Sequence, residues 1–169
     1  FFQAEDGIRD SVASRGRGDV YKRQAVLSEK LDVIHYQDMP IIEVGNKREL
    51  NEPELRNILS KYSPHYTSLT VGIEKSQTMP NQGVVSSGRY MASYGFLRGL
   101  CVGMGLPYIL IRPPSWKKVM LADMPKEKGS SIQKVGQLYP GIKLTRKKDH
   151  GISDAILIAR YMSTILDKK

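Results

Sequence analysis

Apolar and β-favouring residues run Tyr66-Thr67-Ser68-Leu69-Thr70-Val71-Gly72-Ile73 and then meet a carboxylate, Glu74. That pattern predicts a buried strand ending in an acid. Upstream, Ala25-Val26-Leu27 reads as the tail of a strand, Ser28-Glu29-Lys30 as a turn, and Leu31 to Tyr36 as the return strand of a hairpin. Ile41 to Gly45 is a further extended piece. Asn51-Glu52-Pro53-Glu54 marks a helix start: Asn51 suits the N-cap, Pro53 the first turn, and the two glutamates the helix dipole. Leu55, Ile58 and Leu59 form its apolar face, and Ser63-Pro64 ends it. Val84 to Met104 reads as a long helix with small residues, Gly88, Ala92, Gly95, Gly99 and Gly103, at helical spacing. Glycine is costly inside a helix, so such a stripe indicates close approach of another element, either the sheet or a second copy of the chain. Tyr108 to Ile111 is a buried strand. A short helix capped by Ser115, a helix over Ser130 to Leu138 and a last amphipathic helix with Ile152, Ala155, Ala159, Met162 and Leu166 on its packed face complete the pattern. Strands followed by alternating helices and strands predict an α/β fold, a mixed sheet with helices on both faces.

Residues 1–24 stand apart. They lack apolar periodicity, and Gln3 to Asp10 back-translates to a sequencing-library adapter. Ser14 to Gln24 resembles translated transposase-adapter sequence, with one departure at Arg17. This segment is expected to be non-native and disordered, with residues 25–169 forming one domain.

The length of 169 residues suits a single domain with a sizeable core. No apolar run is long enough for a membrane span, and no signal peptide is visible. The single Cys101 excludes an internal disulfide and fits a reducing cytoplasm. Net charge is +9, and Arg112 to Lys148 holds ten Lys and Arg against Asp123 and Glu127 alone, a net +8. A run this one-sided favours a polyanionic partner such as nucleic acid.

Candidate chemistry lies at two places. Glu74 closes a strand, and chemistry in open α/β sheets gathers at the carboxyl ends of strands. Asp149, His150 and Asp154 flank the start of the last helix, expected near Ile152, so that the preceding loop can fold Asp149 or His150 back towards Asp154. Divalent metal held for phosphodiester cleavage needs several acids from distant parts of the chain, and Mg²⁺ prefers carboxylate oxygens. Glu74, Asp149 and Asp154 can supply three, although acids at a helix start are also common for dipole reasons alone. No Cys/His set has zinc spacing, and no Walker-type glycine loop is present. Cys101 reads as a packing residue, and His35 and His65 as strand and loop residues with local partners. Trp116 reads as core or as a base-stacking platform, with Lys117 and Lys118 beside it able to reach phosphates.

Ile73-Glu74-Lys75, Met79 to Gly83, Tyr94 to Gly99, Ser115 to Lys118, Arg146 to Gly151 and Asp154 to Ala159 together resemble RuvC-type Holliday junction resolvases, most closely phage-type and chloroplast-type members. The order and approximate spacing are kept from about Ala25 to Tyr161. The resemblance implies a ribonuclease H-like fold, a homodimer, Mg²⁺ or Mn²⁺ with no small-molecule cofactor, and paired nicks across a four-way DNA junction. That is a crossover junction endodeoxyribonuclease of DNA recombination and repair, in a bacterial or phage-infected cytoplasm or an organelle. It further implies that Glu74 matches the family's second acid and Asp154 its last. Members often carry Asp or His three residues before that last acid, where this chain has Gly151, so Asp149 or His150 is left to supply the third ligand, with Asp149 preferred. Lys75, Gln82, Trp116, Lys117, Lys118, Lys147 and Lys148 are candidate DNA contacts. The family's opening strand, ending in Asp-Pro-Gly, has no counterpart before Glu74; Asp10, Asp19 and Asp32 are poor substitutes by context. The chain is therefore expected to be inactive as it stands. Another ribonuclease H-like nuclease or transposase, and a junction-binding protein without catalysis, are the alternatives.

Overall fold

A computed structural model describes residues 2–3, 9–13, 23–45, 47–63, 69–75, 84–146 and 149–167. Eight strands and five helices occur among them: β1 Phe2–Gln3, β2 Arg9–Ala13, β3 Arg23–Leu27, β4 Val33–Asp38, β5 Ile41–Val44, β6 Lys47–Leu50, α1 Glu52–Tyr62, β7 Val71–Glu74, α2 Val84–Gly103, β8 Tyr108–Ile111, α3 Pro113–Met120, α4 Ser130–Leu138 and α5 His150–Leu166. The main sheet has the order β4-β3-β2-β7-β8, with β1 beside β2. Strands β2, β3 and β4 are antiparallel neighbours, whereas β2–β7 and β7–β8 are parallel. The sheet is mixed, as the sequence pattern predicts. Strands β5 and β6 form a separate two-stranded hairpin, of which the sequence pattern shows only the first half.

The two faces of the sheet carry separate cores. On one, Ala25, Leu27 and Ile111 meet Trp116 of α3, Val135 of α4 and Ile156 of α5. On the other, Val71 and Ile73 meet Leu55 and Leu59 of α1 and Leu97 and Cys101 of α2. Alternation along β7 therefore sends Val71 and Ile73 one way and Glu74 the other. Helix α5 runs against β2 and β3, and every residue from Gly151 to Ala159 is buried. A helix buried all round must sit between layers, here the sheet and helices α3 and α4.

Local signals explain most element ends. Asn51 Oδ1 accepts the Glu54 N–H at 3.1 Å, so α1 begins with the expected cap. Helix α2 ends where Gly105 takes a left-handed φ of 65°, and the Leu106 N–H reaches back to the Cys101 carbonyl at 2.8 Å.

Four expectations are corrected. Ser115 does not cap α3: the helix begins at Pro113 with Arg112 as N-cap, since proline lacks the N–H that a first turn leaves unpaired. The last helix starts at His150 rather than near Ile152. Residues 1–24 are not wholly outside the fold: the backbone of β2 lies in the middle of the sheet, although no opening strand was expected before Glu74 from this segment. Arg23 and Gln24, also expected outside the domain, open β3. The α2 stripe is not packed on the sheet. Gly88, Ala92, Gly95, Gly99 and Gly103 are all exposed, and a Cβ added at any of these glycines would meet nothing within 4 Å. Tyr66 to Ser68 of the predicted long strand lie outside the described residues.

Candidate functional site

Glu74 is the last residue of β7 and is 4% exposed. Its Oε1 accepts the indole N–H of Trp116 at 3.0 Å, in a buried contact. Trp116 itself is 0% exposed. Trp116 and Met120, one turn apart, form the buried face of α3, which turns the indole towards the sheet. As a candidate DNA contact Trp116 is thereby corrected: a ring with no exposed surface offers no face to a base, and its polar edge is taken by Glu74.

Asp154 lies one turn inside α5 and is 6% exposed. The Ser131 hydroxyl, on the first turn of α4, donates to Asp154 Oδ1 at 2.5 Å. Neither this bond nor the Trp116 bond is legible from composition. Ser131 beside Ser130 reads as a helix start, and Trp116 as core; each partner lies far along the chain.

Asp149 faces away from the role expected of it. Its Oδ2 accepts the backbone N–H of Arg146 at 2.9 Å, its Oδ1 accepts Arg146 Nε at 2.9 Å, and Arg146 Nη2 lies 2.8 Å from that same oxygen. The Asp149 N–H in turn donates to the Arg146 carbonyl at 2.8 Å. This is a closed turn, clamped by charge at the entrance to α5, and Asp149 raises the pKa of the Arg146 guanidinium. His150 is exposed and begins α5, so it shares a helix face with Asp154 four residues on. Gly151, where the resembled family places its third ligand, faces the Arg23 side chain: a Cβ there would sit 3.0 Å from Arg23 Cδ.

Among the described residues, no group of three or more His, Cys, Asp or Glu side chains is gathered closely enough to hold a metal ion. The carboxylates suit Mg²⁺ in kind but fall short of it in number. Asp149 is held by Arg146, whereas Glu74 accepts the Trp116 indole N–H and Asp154 the Ser131 hydroxyl.

The segment that carries α3 and α4 is basic at its surface. Arg112, Lys118, Lys126, Lys128, Lys143 and Arg146 are exposed, whereas Lys134 is tied to Asp123 at 2.6 Å. Lys75 is exposed and follows Glu74; its N–H bonds the Ile111 carbonyl at 2.7 Å, continuing the β7–β8 ladder. Lys117 is half-buried with Nζ 5.4 Å from the Trp116 ring centroid. Gln82, Lys147, Lys148 and His65 lie outside the described residues. His35 stacks near the Tyr62 ring, and Cys101 is a core residue whose thiol burial pushes up to about 11, as a packing role requires. Among the described residues no helix is long and apolar enough to cross a membrane.

No family model matches the sequence, and no curated protein matches it. Solved structures do. RuvC of Thermus thermophilus in complex with a Holliday junction substrate superposes with a TM-score of 0.65 at 10% identity, over 95% of this chain and 96% of that one. A further Thermus thermophilus RuvC structure gives 0.55 at 13% identity, with the same coverage. At such identity the likeness speaks for architecture, and the chain has the ribonuclease H-like fold of RuvC.

Proposed function

We propose that this chain is a metal-dependent endonuclease that resolves four-way DNA junctions by paired phosphodiester cleavage, with its rate held very low because β2, the strand beside Glu74, ends without an acid. The observation that carries the reading is the buried carboxylate Glu74 at the end of β7, on a RuvC-like fold matched over nearly the whole chain. The exposed cations from Arg112 to Arg146 supply the electrostatic footprint for a phosphate backbone. Mg²⁺ or Mn²⁺ is the cofactor we propose, with Glu74 and Asp154 as its carboxylate ligands. His150 replaces Asp149 as the third candidate, because Asp149 is occupied by Arg146 and His150 lies on the Asp154 side of α5. Among the described residues three such groups are not gathered at one point. A homodimer is supported by the exposed small-residue face of α2, flanked by exposed Met91 and Val102. The single buried thiol suits a reducing compartment such as the cytoplasm.

The same shortfall in metal-binding groups favours a second reading, a junction-binding protein without catalysis. One experiment separates the two. The protein is mixed with labelled four-way junctions and with linear duplex of the same sequence, in Mg²⁺ or in EDTA. Paired nicks on the junction alone, dependent on Mg²⁺, support the nuclease. Junction-selective binding without nicks supports the binding protein, and no preference for junctions overturns both.

A further inference from the structure

We propose that Trp116 and Ser131 are positioning residues, each holding one of the two candidate acids in place. The proposal rests on the reading of Glu74 and Asp154 as catalytic acids and adds the residues that orient them. Glu74 is a long, rotatable side chain at a strand end. Its Oε1 is bonded at 3.0 Å by an indole fully enclosed in the core beneath α3, α4 and α5. A buried tryptophan N–H must find an acceptor. Here that acceptor is a carboxylate 42 residues away in the chain, not a carbonyl of its own helix. Asp154 receives the Ser131 hydroxyl at 2.5 Å from 23 residues away. Hydrogen bonds to an ionised group are short and roughly twice as strong as neutral ones, so each donor fixes one carboxylate oxygen firmly. Both donors come from the two short helices of the +8 segment. Of the two helices, α3 also carries the exposed Lys118, so the helix that holds Glu74 also presents a cation to a phosphate backbone.

Trp116 is the only tryptophan in the chain. Biosynthetic replacement of tryptophan by benzothienylalanine therefore changes one position, keeping the ring shape and removing the N–H. In unmodified, ¹⁵N-labelled protein the single indole N–H resonance is expected to exchange slowly with solvent and to move on Glu74→Gln substitution. An indole resonance at the same position in both proteins overturns the Trp116–Glu74 contact. In junction nicking, the analogue is expected to lower turnover about tenfold or more while junction affinity stays within twofold or so, since one hydrogen bond to a charged group is lost. Ser131→Ala is expected to do the same, with Ser131→Thr restoring turnover. Unchanged turnover in the analogue and in Ser131→Ala overturns the positioning role. Should the unsubstituted protein not nick junctions at all, the proposed activity fails, and the indole resonance alone decides the positioning of Glu74.

Discussion

A carboxylate at the start of a helix can serve chemistry, a helix dipole or a local clamp, and spacing does not distinguish these uses. Asp149 lies five residues before Asp154, and that spacing admits it to the site; its bonds to Arg146 show the clamp instead. We expect Asp149→Asn to lower the urea midpoint only modestly, because Arg146 is largely exposed and solvent screens the pair, and to leave junction cleavage nearly intact. His150→Ala should have the reverse pattern, with little change in the urea midpoint and loss of most cleavage. Glu74→Gln and Asp154→Asn should abolish cleavage and retain junction binding. Urea unfolding and nicking assays on the four variants check this; full activity in His150→Ala removes it from the site. Glu74 was legible in the sequence because a charge that ends an apolar strand has few structural uses. The partners of Glu74 and Asp154 were not, since contacts spanning 42 and 23 residues depend on how α3, α4 and α5 stack.

Elements were legible where a local rule decides them. Strand β8 and helix α4 fall where the pattern put them, because a Gly-Leu-Pro break precedes one and a Pro-Gly break follows the other. The cap of α1 is equally local. Asn51→Ala should therefore cost about 1 kcal/mol by removing the acceptor for the Glu54 N–H, while Asn51→Asp should be nearly neutral. Chemical denaturation with an unchanged m-value is the measurement, and a loss well below half that figure would show the cap bond to be unimportant. Where two local rules compete, tertiary structure chose. Serine favours the N-cap and proline the first turn, and α3 followed its prolines, which places Trp116 and Met120 on its buried side. The face of α2 was ambiguous for a different reason. A stripe of small residues says that something approaches closely and not what does, and the sheet takes Tyr94, Leu97 and Cys101 instead.

At the scale of the whole molecule, charge and the middle of the sheet set what the fold can do. Binding through the exposed cations should fall steeply with salt, because binding releases counterions from DNA, and Lys117→Ala with Lys118→Ala should weaken binding and flatten that slope. A salt-independent junction affinity contradicts this. The central strand is a separate matter. Strand β2 pairs with β3 on one side and β7 on the other, and α5 packs against it. A strand enclosed in this way normally reads as a run of apolar, β-branched residues. Here it reads Arg9-Asp10-Ser11-Val12-Ala13, with one β-branched residue. Its register with β7 pairs Ser11 with Gly72 and Val12 with Ile73, so both strands end one residue later, β2 in Ala13 and β7 in Glu74. Asp10, the strand's one acid, lies three residues before Ala13, opposite Val26 of β3. The lane beside Glu74 is therefore filled by a backbone whose last residue carries no carboxylate. We expect two effects from replacing residues 9–12 by an apolar stretch and adding Ala13→Asp. Stability should rise, because the sheet gains a hydrophobic centre where polar residues now stand. Junction cleavage should rise by several orders of magnitude, because a third acid then stands beside Glu74, and two-metal hydrolysis depends on carboxylates bridging both ions. The same apolar stretch with Ala13→Asn separates the effects: it should keep the gain in stability and lose the gain in rate. Equal cleavage by the original chain and the variant carrying Ala13→Asp would show that no acid is needed in that lane, and that Glu74 and Asp154 act without it.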